Sequence, residues 1–170
     1  MQAIADFEIR PADAADLARL QEIRAAAFAP IFASFREALG EALYDLCQRD
    51  QDEAQPTLLA SLLEPGGGWE LFVAVEEGLV VGFVSCRADA ASRCGEIGLN
   101  AVLPECAGRG IGTRLYRFAA ARLSEQGMRA AGVSVGGDAA HAAARRAYEK
   151  AGFGTGIPHV WLCAALNGET

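Results

Sequence analysis

The chain has 170 residues, 52% of them apolar and 22% charged, which is enough for one hydrophobic core and predicts a single domain over residues 1–170. A formal net charge of −7 argues against general binding to nucleic acid or to an anionic membrane; it suits a cationic partner such as an amine, or plain solubility. No apolar run is long enough to span a bilayer, and the opening MQAIADFEIRPAD lacks the basic start and apolar run of a secretory leader, so a cytoplasmic protein is expected.

Phe7-Glu8-Ile9-Arg10 alternates and predicts a first strand ended by Pro11. Asp13 is a good helix cap, and with Asp16 three residues later it resembles a capping box. Leu17, Leu20, Arg24, Ala27 and Phe28 then trace one helical stripe. Pro30 breaks that helix or starts the next, whose stripe is Ile31, Phe32, Phe35 and Leu39. Gly40 interrupts it, and Leu43, Leu46 and Cys47 predict a further short helix. Pro56 suits the first position of another, with Leu59, Leu62 and Leu63 behind it, before the loop EPGGG.

Leu71 to Val75 and Leu79 to Cys86 are β-branched, apolar runs separated by Glu76-Glu77-Gly78, the pattern of a hairpin. Glu96 to Leu103 is the next strand, in which Gly98 marks either a bulge or a close backbone approach. A glycine cluster follows, Gly108, Gly110 and Gly112, and then an amphipathic helix from near Arg109 that Gly127 stops. Ala131 to Val135 predicts a short strand and Asp138 caps a helix with the stripe Ala140, Ala144, Ala147, Tyr148 and Ala151, ended by Gly152. Val160 to Leu166 reads as a final strand.

The glycine junction carries the chemistry. Glycines let backbone N–H groups turn inward, and the first amides of a helix lack internal partners and sit at the positive end of its dipole. Together they suit phosphate oxygens; the bland alternative is an ordinary tight turn. No GxxxxGK[ST] is present and the glycines run G-x-G-x-G, which excludes the two commonest nucleotide loops. The cysteines are Cys47, Cys86, Cys94, Cys106 and Cys163, an odd number with no CxxC, which argues against a disulfide framework or a zinc site. Cys106, in the glycine loop, is expected to be accessible.

VLPECAGRGIG followed by a long helix, the strand GVSV and the helix ending YEKAGF resembles, in order and spacing, the GCN5-related N-acetyltransferase (GNAT) superfamily. The resemblance runs from the strand near Leu71 to the end. It implies an α/β fold with a central mixed sheet flanked by helices, fourth and fifth strands that splay apart, and transfer of an acetyl group from acetyl-CoA to a primary amine by direct attack in a ternary complex. A non-catalytic acyl-CoA-sensing module of the same fold is the alternative, and a nucleotide-binding protein a more distant one. The implied cofactor contacts are Leu99, Asn100, Ala101 and Val102 to pantetheine and Arg109, Gly110, Ile111, Gly112 and Thr113 to pyrophosphate, with Arg114 and Arg117 either reaching phosphates or solvated.

Tyr148 takes the place of the superfamily tyrosine that protonates the leaving thiolate, a task for a phenol that stays protonated at neutral pH. Glu96 matches a general base of some branches, or is a strand-start glutamate facing solvent. His141 stands where asparagine often contacts pantetheine, and Ala107 where the superfamily has Gln or Arg. The segment 28–63 borders the acceptor pocket in the superfamily, so Phe28, Phe32 and Phe35, together with Tyr44, either line an acceptor site or pack helices onto the sheet. The expected acceptor is a small-molecule or peptide amine; no metal, nucleic acid or membrane partner is expected, and a homodimer is possible.

Overall fold

The computed structural model describes residues 7–166; the first six residues, on which the leader reading partly rests, lie outside them. The strands are β1 (Glu8–Pro11), β2 (Trp69–Glu76), β3 (Leu79–Arg87), β4 (Cys94–Val102) and β5 (Ala130–Val133), and they lie in sequence order. The first four pair antiparallel and β5 joins β4 in parallel. The helices are α1 (Leu17–Cys47), α2 (Arg49–Glu53), α3 (Gln55–Ser61), α4 (Ile111–Glu125) and α5 (Ala142–Ala151).

Strand alternation sorts the apolar side chains into two cores. On β2, Leu71 and Val73 pack with Leu20, Ile23 and Leu59 of α1 and α3, while Phe72 and Ala74 pack with Ile111, Leu115 and Ala119 of α4. The hairpin turns on Glu77 and Gly78, whose φ values of 50° and 80° match the two-residue turn that follows the strand twist. The capping box forms as expected: Ala15 N–H donates to Asp13 Oδ1 (2.8 Å) and Asp13 N–H to Asp16 Oδ2 (3.0 Å). Arg10 adds a two-pronged pair to Asp16, and that hydrogen bond is the main reason the Asp16 carboxyl lies below the usual range.

Three expectations change. Pro30 neither ends nor starts a helix, because α1 runs through it; Pro30 and Ala26 are both exposed, so the carbonyl that loses its helix donor meets water. The real break is Gly40, with φ 71° and ψ 159°. Val160 to Leu166 forms no strand: residues 154–166 pair with nothing in the sheet and leave Ile157, Leu162 and Leu166 between 83% and 95% exposed. A run of β-forming residues needs a ladder partner, and the described residues offer none here. Cys106 is buried, because the turn Pro104–Cys106 folds its side chain into the α4 core. All five cysteines are free thiols, and no helix of the described residues is long and apolar enough to cross a membrane.

Candidate active site

The site begins where β4 and β5 part. They pair only over Cys94–Ile97 and Ala130–Val133; β4 then continues to Val102 with no strand on that side. A register shift opposite Val84–Cys86 marks a bulge in this stretch. Gly98 serves both readings made of it: it lies in the bulge, and a Cβ there would stand 2.5 Å from the Trp69 ring and 2.8 Å from Ser85 Oγ. Ser85 Oγ in turn donates to the Leu99 carbonyl (3.0 Å). Gly98→Ala is expected to cost about 1–3 kcal/mol of stability, read by urea unfolding, because Ser85 is fully buried and cannot retreat.

After the bulge, Asn100 turns its side chain toward α4 and α5. Its Nδ2 donates to the Gly98 carbonyl (2.8 Å) and to Tyr148 Oη (2.9 Å), while its Oδ1 accepts from Tyr116 Oη (2.8 Å). The Gly98 carbonyl can only accept, so it fixes which end of the amide faces the tyrosines. Tyr148 therefore receives a hydrogen bond from Asn100 and does not give its own phenolic hydrogen to that amide, leaving the neighbouring Tyr116 hydroxyl as its acceptor within the pair. Tyr116 stacks on Tyr148 with centroids 3.9 Å apart and planes 9° off parallel, and Phe153 meets Tyr148 edge-on at 5.7 Å. Burial, and then Tyr116, push the Tyr148 phenol well above the usual tyrosine range; burial pushes Tyr116 up to about 12. Both hydroxyls stay protonated at neutral pH.

The glycine junction forms the second part. Gly108 and Gly110 take φ values of 77° and 83°, open to glycine at little cost. Gly110 is the cap of α4, with no side-chain cap bond, and the first intrahelical bond runs from Arg114 N–H to the Gly110 carbonyl (3.0 Å). The amides of Ile111, Gly112 and Thr113 thus lead the helix without an internal partner and can donate to phosphate oxygens. The flanking arginines are engaged elsewhere. Arg109 pairs with Glu76 (Nη1 to Oε2, 2.9 Å), Arg114 lies over the Phe7 ring at 3.9 Å and donates to the Phe7 carbonyl, and Arg117 donates to the Lys150 carbonyl.

Glu96 lies in the paired half of β4, opposite Gly132, with its carboxylate half-exposed and held by Arg87 Nη2 at 2.8 Å. The dry pocket that would activate it is not there. Four residues of strand, roughly 13 Å at the usual rise, separate it from Asn100. His141 heads α5, its Nδ1 2.5 Å from Asp138 Oδ2 and its ring stacked on Phe35 at 6.1 Å. Burial works against ionisation of Asp138, but the His141 hydrogen bond and charge outweigh it and hold the carboxyl low. Asp138 caps the turn before α5 rather than the helix itself, accepting from His141 N–H (3.2 Å). Phe35 thus brings α1 to the head of α5, Phe32 meets Phe28 edge-on at 5.8 Å, and Phe28 packs on the α1-side core. The sequence reading missed Tyr116 and the Asn100 side chain. Tyr116 falls in the apolar stripe of α4 and carries no motif, so only the fold brings it to Tyr148.

The model of the acetyltransferase (GNAT) family matches residues 30–153. No curated protein matches the sequence. Among solved structures, the aminoglycoside N-acetyltransferase AAC(6')-Iy with a bisubstrate analogue superposes with a TM-score of 0.64 at 14% identity, over 95% of this chain and 99% of that one. A GNAT family acetyltransferase from Brucella melitensis in complex with acetyl-CoA superposes at 0.61 with 21% identity, over 95% and 97%. The ribosomal-protein-S18-alanine N-acetyltransferase from Escherichia coli superposes at 0.59 with 16% identity, over 86% and 77%. With the parted β4 and β5, the glycine-capped α4 and a family match over most of its length, the chain belongs to the acetyltransferase (GNAT) family.

Proposed function

We propose that the chain is an N-acetyltransferase that moves an acetyl group from acetyl-CoA to a primary amine by direct attack in a ternary complex. The observation that carries this reading is the buried, protonated Tyr148, which accepts from Asn100 rather than donating to it, beside the strand edge that β5 abandons. A similar fold binds acetyl-CoA in the Brucella protein and a CoA-aminoglycoside conjugate in AAC(6')-Iy. Acetyl-CoA supplies the activated thioester. The amides of Ile111, Gly112 and Thr113 hold its pyrophosphate; Ala107 adds no side-chain donor, so the load rests on the backbone. Backbone N–H groups of Leu99 to Val102 orient the pantetheine arm and stabilise the oxyanion that develops on the thioester. Tyr148 gives its proton to the departing sulfur.

Glu96 acts as base through water, since four residues of strand, roughly 13 Å, separate it from Asn100, the partner of Tyr148. Glu96→Gln is expected to lower kcat/KM at neutral pH and recover at alkaline pH, where free amine is abundant. Parallel pH–rate profiles for both proteins would assign the proton to another acceptor. Release of free thiol from acetyl-CoA, screened against an amine panel, tests the function as a whole. CoA binding without turnover of any amine would favour a sensing module instead. The apolar segment 157–166 is the surface on which a homodimer would form, and sedimentation of the full chain tests it.

A further inference from the structure

Between α1 and the short helices α2 and α3 lies a cavity of about 310 Å³, away from the tyrosine pair and the glycine loop. Arg24 lines it and is 8% exposed. Its Nε donates to Gln21 Oε1 (2.9 Å), and the Gln21 amide is fixed by its own bond to the Pro56 carbonyl (2.7 Å). Among the described residues no carboxylate forms an ion pair with the guanidinium. Neither Nη is both sealed from solvent and unpartnered, and Arg24 is one of the residues that line the cavity. A cation taken from water without a counter-charge is costly, and burial alone holds Arg24 below the usual arginine range.

The nearest acids do not answer that charge. Asp52 is buried and accepts from Tyr44 Oη (2.8 Å) and Gln48 Nε2 (2.9 Å), so neutral donors satisfy both its oxygens. Glu53 stands on the exposed rim. Phe32 and Ala29 supply an apolar wall.

We propose that this cavity binds a small zwitterion of the amino-acid class, its carboxylate on Arg24 and its ammonium toward Asp52 and Glu53. A guanidinium with two unengaged amino groups matches one carboxylate in a fork. Two acidic side chains on the same wall repel a phosphate or a dicarboxylate and attract a ligand that carries its own positive charge. The apolar wall leaves room for a short aliphatic side chain. The site is argued from the cavity and stands whether or not the bound molecule is acetylated.

Calorimetry on the full chain with no acyl donor present tests it, using the standard L-amino acids and their carboxamides as probes. At least one acid is expected to bind, its carboxamide at least about tenfold more weakly, and Arg24→Gln to lose a similar factor. The acid–carboxamide contrast needs only the wild-type protein, so a misfolded variant does not spoil the test. Equal binding of acid and carboxamide, or no binding across the panel, overturns the proposal. Failure of acetyl transfer alone leaves these measurements standing and bears only on the enzyme reading.

Discussion

Replacing Tyr148 by phenylalanine is expected to lower kcat for acetyl transfer by about ten- to a thousandfold, with CoA affinity little changed. The split follows from the packing. The ring keeps its stack with Tyr116 and its edge contact with Phe153, and only the hydroxyl is lost. Asn100 Nδ2 loses one of two acceptors but retains the Gly98 carbonyl. Because burial raises the Tyr148 phenol above its ordinary range, its acid form persists through about pH 6 to 9, and no falling alkaline limb of kcat belongs to it. A second measurement tests the orientation argument. Asn100→Leu removes the amide that donates to Tyr148 and fixes its hydroxyl, so it is expected to slow wild type more than it slows the Tyr148→Phe protein. If kcat holds in Tyr148→Phe with the best acceptor, the thiolate takes its proton from another group.

Local chemistry made much of the fold legible. The capping pair Asp13 and Asp16, the Glu77-Gly78 turn and Gly98 each act within a few residues, and each does in the structure what its residue type suggests. The expected splay of β4 and β5 likewise appears where β5 ends after Val133. What the sequence could not carry were facts of partnership. VWLCAAL has every local mark of a strand, but a strand is made by its neighbour, and no neighbour is there. Cys106 looked accessible in a glycine loop, yet a single tight turn sends it into the core. Pro30 looked like a boundary because its cost is local, whereas the helix is held by the buried Ile23 before it and by Phe32 and Phe35 after it, which meet Phe28 and His141.

The candidate site divides in the same way. Tyr148 stands out by its place before the helix-ending Gly152, but its environment depends on Tyr116, 32 residues earlier, and on Asn100, which hydrogen-bonds to both. Arg114 and Arg117 follow the loop by one turn, which left phosphate contact and plain solvation both open. The structure gives each a backbone carbonyl, of Phe7 and Lys150, that no spacing rule could name. With those side chains engaged, and with alanine at 107, the proposed anion binding would rest on the leading amides of α4.

That concentration of load sets the largest effect expected on the cofactor side. Gly112→Glu is expected to abolish measurable CoA binding while the protein still folds. Gly112 has no left-handed backbone, and a Cβ there meets Ala147 and Tyr116 no closer than 3.8 Å, so the substitution brings little strain. What it brings is a carboxylate in the first turn of α4, beside the amides that would hold a pyrophosphate. Gly110 separates strain from charge. Its φ of 83° makes Gly110→Ala cost about 1–2 kcal/mol of backbone energy without adding charge, so it is expected to lower the melting temperature and weaken CoA only modestly. Calorimetric titration of CoA into the three proteins, with circular dichroism as the check on folding, distinguishes the two effects. A folded Gly112→Glu protein that binds CoA as wild type does would remove the glycine junction from the site, and with it the alignment of the thioester along β4 on which the role of Tyr148 depends.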